Sequence, residues 1–270
     1  MKKLILTLKT FVLILPLMVM AHQANARVDI LPHMVVIEGR ERSSEVTIIN
    51  LSNKVNSYDL GILNYRQDEN GVYTTLDTPL SPLFDPKDIV RMSPKEFTLI
   101  GLAKQKVRIS LRKPADLPDG EYRFHILARG SEVNPTDDTD NGAQVSVKIN
   151  VGVAIPVIVR HGNVSATGKL TDFKLVGSSK SESGKPEFEF LATREGNAST
   201  LGRVEAFWSP SGNENEYESI GFVTNFNLFT EINQRKGSIA LSQLPASGKL
   251  KIVYSDTDSK EIYDEIIINP

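Results

Sequence analysis

The chain contains no cysteine. Zinc thiolate sites, thiol nucleophiles and redox dithiols are excluded, and the fold must be held by packing alone, which a chain of this length can supply. Histidine is scarce: His22, His33, His125 and His161 are widely spaced, and no pair has the H-x-x-x-H spacing that sets two ring nitrogens on one metal. No G-x-S-x-G elbow nominates a serine nucleophile. The acidic run Asp137, Asp138, Asp140, Asn141, Gly142 departs from a calcium loop, because its glycine comes one place early and the twelfth position falls on Ile149. These absences point away from an enzyme and imply no metal and no cofactor.

Long apolar runs are also missing beyond the N-terminus. Lys2 and Lys3 precede an apolar stretch, Phe11 to Ala21, followed by Ala24-Asn25-Ala26, a small-x-small cleavage site. Residues 1–26 therefore read as a secretory signal peptide, with the mature chain starting at Arg27. The apolar stretch falls short of the roughly 20 residues that span a bilayer, so membrane insertion is not expected. The formal charge is −2, and the leader removes three lysines and no acid, leaving the exported chain more acidic still. Nucleic acid is not an expected partner of such a chain. Asn197-Ala198-Ser199 matches a glycosylation acceptor, a three-residue pattern that carries little information.

What is present is short β-branched runs separated by Gly, Pro, Asn, Asp and Ser, with no convincing amphipathic helix. This is an all-β pattern. Seven expected strands occupy the first half, at 34–38, 45–50, 57–65, 97–100, 105–111, 121–128 and 143–159. Seven more occupy the second, at 170–176, 186–194, 202–208, 219–224, 237–241, 249–254 and 261–268. The spacing predicts two sandwiches, residues 27–160 and 161–270, with a hinge within Ile155 to Gly162. Trp208, Tyr217, Phe222, Phe226 and Phe229 form an expected aromatic cluster of the second domain: a sandwich core, or, if exposed, a stacking surface for sugars.

The most telling segment is Ala143 to Val159, where every odd position is apolar and the even positions up to Ala154 read Gln, Ser, Lys, Asn, Gly, Ala. Strict alternation is the signature of a half-buried strand. At full length it would reach roughly 55 Å, about three times the usual strand of five or six residues. One compact sheet cannot use all of it. The segment is preceded by Gly130 to Gly142, a polar loop with four acids and no basic residue. Two readings stay open. The valines fill this protein's own core, or part of the row pairs with another polypeptide by strand addition. Four to five such side chains carry on the order of 6–15 kcal/mol before ordering costs.

Several segments resemble the periplasmic chaperones of the chaperone-usher pathway, which assemble pili and fimbriae. They are VIEGRERSSEVTIINLSN (Val36 to Asn53), LPDGEYRFHIL (Leu117 to Leu127), SVKINVGVAIPVIVRHG (Ser146 to Gly162) and LATREGNASTLGRVEAFW (Leu191 to Trp208). The flavour of GEYR and IPVIVRHG is that of the archaic branch. The resemblance implies two immunoglobulin-like β-sandwich domains in a boomerang arrangement, a periplasmic location and no catalysis. It implies pilus or fimbrial subunits and an outer-membrane usher as partners, the subunit being stabilised by donor-strand complementation. The donor side chains it implies are Val145, Val147, Ile149 and Val151, with Val153 as a further member. The two basic residues that such proteins turn toward a subunit's terminal carboxylate fall here on Met34 and Pro156, so the anchor must lie elsewhere. Arg108 and Arg123 are the first candidates, Arg160 and His33 the next. A sticky edge of this kind also invites self-association of the free protein. The competing class is a secreted β-sandwich adhesin or carbohydrate-binding protein.

Overall fold

The computed structural model describes residues 28–133, 151–181 and 183–270. Val145, Val147 and Ile149 lie outside the described residues, as does the side chain of Val151. Among the described residues, ten strands build the first sandwich. One sheet has the order β1 (Val28–Leu31), β3 (Ser43–Asn50), β8 (Lys104–Leu111), β6 (Val90–Ser93). The other runs β2 (Val35–Ile37), β10 (Val151–His161), β9 (Gly120–Glu132), β4 (Asn56–Gln67), β5 (Tyr73–Leu76), and β7 (Glu96–Leu99) also pairs with β4. The chain therefore changes sheets between Leu31 and Val35, pairing first antiparallel with β3 and then parallel with β10. One helical turn, α1 (Pro86–Ile89), has proline in its first turn and Asp85 as its cap, whose Oδ1 accepts from Lys87 N at 2.9 Å.

Alternation sets the core. On β8, Val107, Ile109 and Leu111 turn inward against Ile30, Ile48 and Phe124, while Lys106 and Arg108 face solvent. Each fully buried side chain of this size contributes roughly 1.5–3 kcal/mol.

The second sandwich packs β11 (Ala166–Val176), β12 (Glu187–Gly196) and β15 (Gln234–Ala240) on the sheet β14 (Glu218–Leu228), β13 (Thr200–Ser209), β16 (Lys249–Asp256), β17 (Ile262–Ile268). Phe188, Phe190, Val204, Leu228, Ile252 and Tyr254 fill it. The Tyr254 ring lies flat over Gly202, where a Cβ would stand 2.1 Å from Cε2, and its hydroxyl is within 2.7 Å of Thr200 Oγ1. Only glycine fits there.

Three features differ from the reading of the sequence. Strands β1, β5 and β6, each of four residues, were not foreseen, because they are too short to display alternation. Secondly, β10 remains in the first sandwich to His161, with Ile155, Val157 and Val159 buried in its core. The crossover thus falls at the far end of the expected hinge, at Gly162, whose φ of 65° suits glycine. Thirdly, the five aromatics do not form one cluster. Phe226 joins the second core, Phe229 reaches the first sandwich, and Phe222 lies exposed under Arg203 at 4.4 Å. Among the described residues no helix is long and apolar enough to cross a membrane.

Candidate functional site: the open flank of the tenth strand

Strand β10 has two unlike flanks. Along one it pairs with β9 over its whole length, from Val151 opposite Gly130 to His161 opposite Gly120. Along the other, β2 covers it only at Val157, Ile158 and Val159. Among the described residues no strand pairs with that flank from Val151 to Pro156. Pro156 is the last residue of the uncovered stretch, and proline has no N–H to offer a ladder.

The faces of β10 also differ. Ile155, Val157 and Val159 are enclosed by the first core, and Val153, on the same face, packs against that core but is only partly buried. The opposite face carries Gly152, Ala154 and Pro156 and then Ile158, which is fully buried with Leu201 and Phe229 of the second sandwich and packs beside Met34 and Val36. The apolar row thus leaves its own core gradually toward Val151.

The four basic candidates have different settings. Arg123 is buried on β9: its Nη2 pairs with Glu231 and donates to Tyr65 O at 3.1 Å, and its guanidinium stacks on Phe229 at 3.9 Å. Arg160 is the penultimate residue of β10, with Nη1 2.7 Å from Glu38 and Nε 3.1 Å from Glu121, whose carboxylate also accepts from Ser199 N and Oγ. Arg108 is exposed on the other sheet of the sandwich, with Nη2 3.3 Å from Ser43 Oγ. His33 precedes β2, stands in solvent and lies 3.3 Å from Asp29 Oδ1.

Around Arg123 the two sandwiches meet in a polar junction. Gln67 N donates to Glu231 Oε1 at 2.8 Å, Phe229 N donates to Gln67 Oε1 at 3.3 Å, and Lys236 N donates to Glu69 O at 2.8 Å. His125 sits edge-on to Tyr65 at 4.8 Å and Tyr73 at 5.9 Å. Burial, and then the neighbouring Arg123 charge, push its pKa down to about 3, so the imidazole is neutral.

Glu121, Glu231 and Arg194 carry this junction and were not singled out from the sequence. Arg194 left a signal, since it continues the row Phe188, Phe190, Ala192 on the buried face of β12. Its guanidinium donates to Gly196 O, Ala198 O, Thr230 O, Ile232 O and Asn233 Oδ1, pinning the loop that presents Phe229 and Glu231.

No family model matches the chain, and no curated protein matches it. Solved structures do resemble it. A chain of the CsuC–CsuE chaperone–tip adhesion subunit pre-assembly complex, from archaic chaperone-usher Csu pili of Acinetobacter baumannii, is similar at 15% identity and a TM-score of 0.41, over 89% of this chain and 96% of that one. The E. coli chaperone DraB is similar at 16% identity and a TM-score of 0.43, over 90% and 95%. The YadV chaperone is similar at 12% identity and a TM-score of 0.43, over 90% and 100%.

Proposed function

We propose that this chain is an exported, non-enzymatic chaperone of pilus or fimbrial subunits, working in the periplasm and passing its guests to an outer-membrane usher. The observation that carries the reading is the uncovered flank of β10 from Val151 to Pro156. A strand with one free flank holds unpaired backbone donors and acceptors beside an apolar row, and a guest strand gains from both. The row Val145, Val147, Ile149, Val151 and Val153 supplies the side chains that enter the guest, completing a sandwich that lacks a strand. Such burial is on the order of several kcal/mol before the cost of ordering the partner.

For the guest's terminal carboxylate, His33 has the best access of the four candidates. It stands just ahead of β2, where the uncovered flank ends, whereas Arg123 and Arg160 already face buried or partly buried acids and Arg108 lies on the other sheet. The test is co-purification of a coexpressed subunit with Ile149→Asp. Subunit should be lost while the chaperone keeps its unfolding midpoint; full retention of subunit by the folded variant would overturn the proposal.

A further inference from the structure

The outer face of the sheet β1-β3-β8-β6 is electropositive on a chain whose net charge is negative. Along β8, a central strand of that sheet, Lys104, Lys106 and Arg108 alternate into solvent, and Arg112 follows just past its end. The row spans roughly 27 Å at about 3.4 Å per residue. Its neighbours across the ladder are mostly small or polar: Ser43, Glu45 and Thr47 on β3, Arg91 and Ser93 on β6, with the half-buried Ile49 opposite Lys104. Glu45 pairs with Lys106 at 2.7 Å, which leaves Lys104, Arg108, Arg112 and Arg91 without an acid among the described residues.

At the hinge end the row runs into a concave pocket of about 610 Å³ lined by Arg40, Arg42, Lys113 and His161, with Glu41 its one acid. Arg40 and Arg42 have no side-chain partner among the described residues. Lys113 is half-buried and donates to Gly39 O at 3.0 Å and Arg160 O at 3.2 Å; burial and the nearby Arg42 charge lower its pKa, a strain that a bound anion would relieve.

We propose that this band is a docking surface for the phosphate headgroups of an anionic phospholipid bilayer, with one phosphate in the Arg40–Arg42–Lys113 pocket and others along β8. A protein partner fits the face less well. Protein interfaces draw their affinity from buried aromatic and apolar anchors, whereas none of the outward residues of β3, β8 and β6 is aromatic and only the half-buried Ile49, opposite Lys104, is apolar. A planar array of phosphates needs only charge, at about 1 kcal/mol per basic residue near the surface. The band lies on the opposite sheet from the uncovered flank of β10, so both can be engaged at once.

The experiment is sedimentation of the chain, purified from the periplasm, with sucrose-loaded vesicles of phosphatidylcholine containing roughly a third phosphatidylglycerol. Partitioning should be at least about tenfold stronger than to phosphatidylcholine alone and should fall as salt shortens the Debye length. Lys104→Glu/Lys106→Glu/Arg108→Glu should abolish it. Lys169→Glu/Lys180→Glu/Lys185→Glu on the second sandwich, an identical change in net charge, should leave it within about twofold. Circular dichroism confirms that both variants are folded. Equal loss in both variants, or no preference for phosphatidylglycerol, overturns the proposal, as does inorganic phosphate binding in the pocket without vesicle binding.

Discussion

The two halves of β10 are built from one alternating row, yet they live in different surroundings. From Val157 to Val159 the strand has β9 on one side, β2 on the other, the first core beneath and the second sandwich above. From Val151 to Pro156 β9 is its one paired strand among the described residues, although Ile155 still turns into the first core. The same residue types are therefore flanked on both edges in one half and on one edge in the other. What divides them is the short reach of β2, not a change of side chain.

The sharpest way to break the contrast is to attack the junction that holds the covered half in place. Arg123→Met leaves Glu231 buried and unpaired, and should cost about 3–5 kcal/mol in urea unfolding of the first sandwich. Arg123→Met with Glu231→Leu should recover most of that loss, because both charges then leave together. A recovery of less than about 1 kcal/mol would mean that packing on Phe229, rather than charge, makes the contact. Next in size, Val157→Ala should lower stability by about 2 kcal/mol, and Val153→Ala by less than about 1 kcal/mol, since only the first empties an enclosed site. Equal losses would erase the distinction between the halves.

Acid should act on the same junction. His125 has a folded pKa of about 3, below the 6.5 of the free side chain, so the unfolded chain binds its proton first. Its neutral form is compatible with full stability above pH 6.5, and stability falls as the pH drops from 6.5 toward 3, by up to about 1.4 kcal/mol per pH unit. His125→Gln should flatten that slope in unfolding curves recorded at pH 7 and pH 5. The smallest effect is expected at the uncovered end: His33→Ala should weaken subunit capture by about two- to fivefold, as suits an exposed polar contact. Unchanged capture would return the anchor to the other basic side chains.

The alternating segments made the two-layer β architecture legible, since strands of eight or more residues, such as β3, β8 and β12, advertise one face. The covered half of β10 was legible for the same reason. The junction was not. Arg123 meets Glu231 across more than a hundred residues and Glu121 meets Ser199 of the other sandwich, and a charged residue that will be buried against a distant partner looks the same in sequence as one in solvent. The phenylalanines were misleading in a similar way. Phe222 and Phe226 share β14 and a parity, yet the register shifts between Gly202 and Val204 on the paired strand β13, and the two rings end in different surroundings.

The end of β2 acts as a punctuation mark. The enclosed and uncovered stretches of β10 form one continuous hydrophobic seam, and they part where β2 stops opposite Val157. The neighbouring short strand has little slack to creep along β10, since only Pro32, His33 and Met34 separate Val35 from Leu31 on the opposite sheet; chain length keeps the doorway ajar.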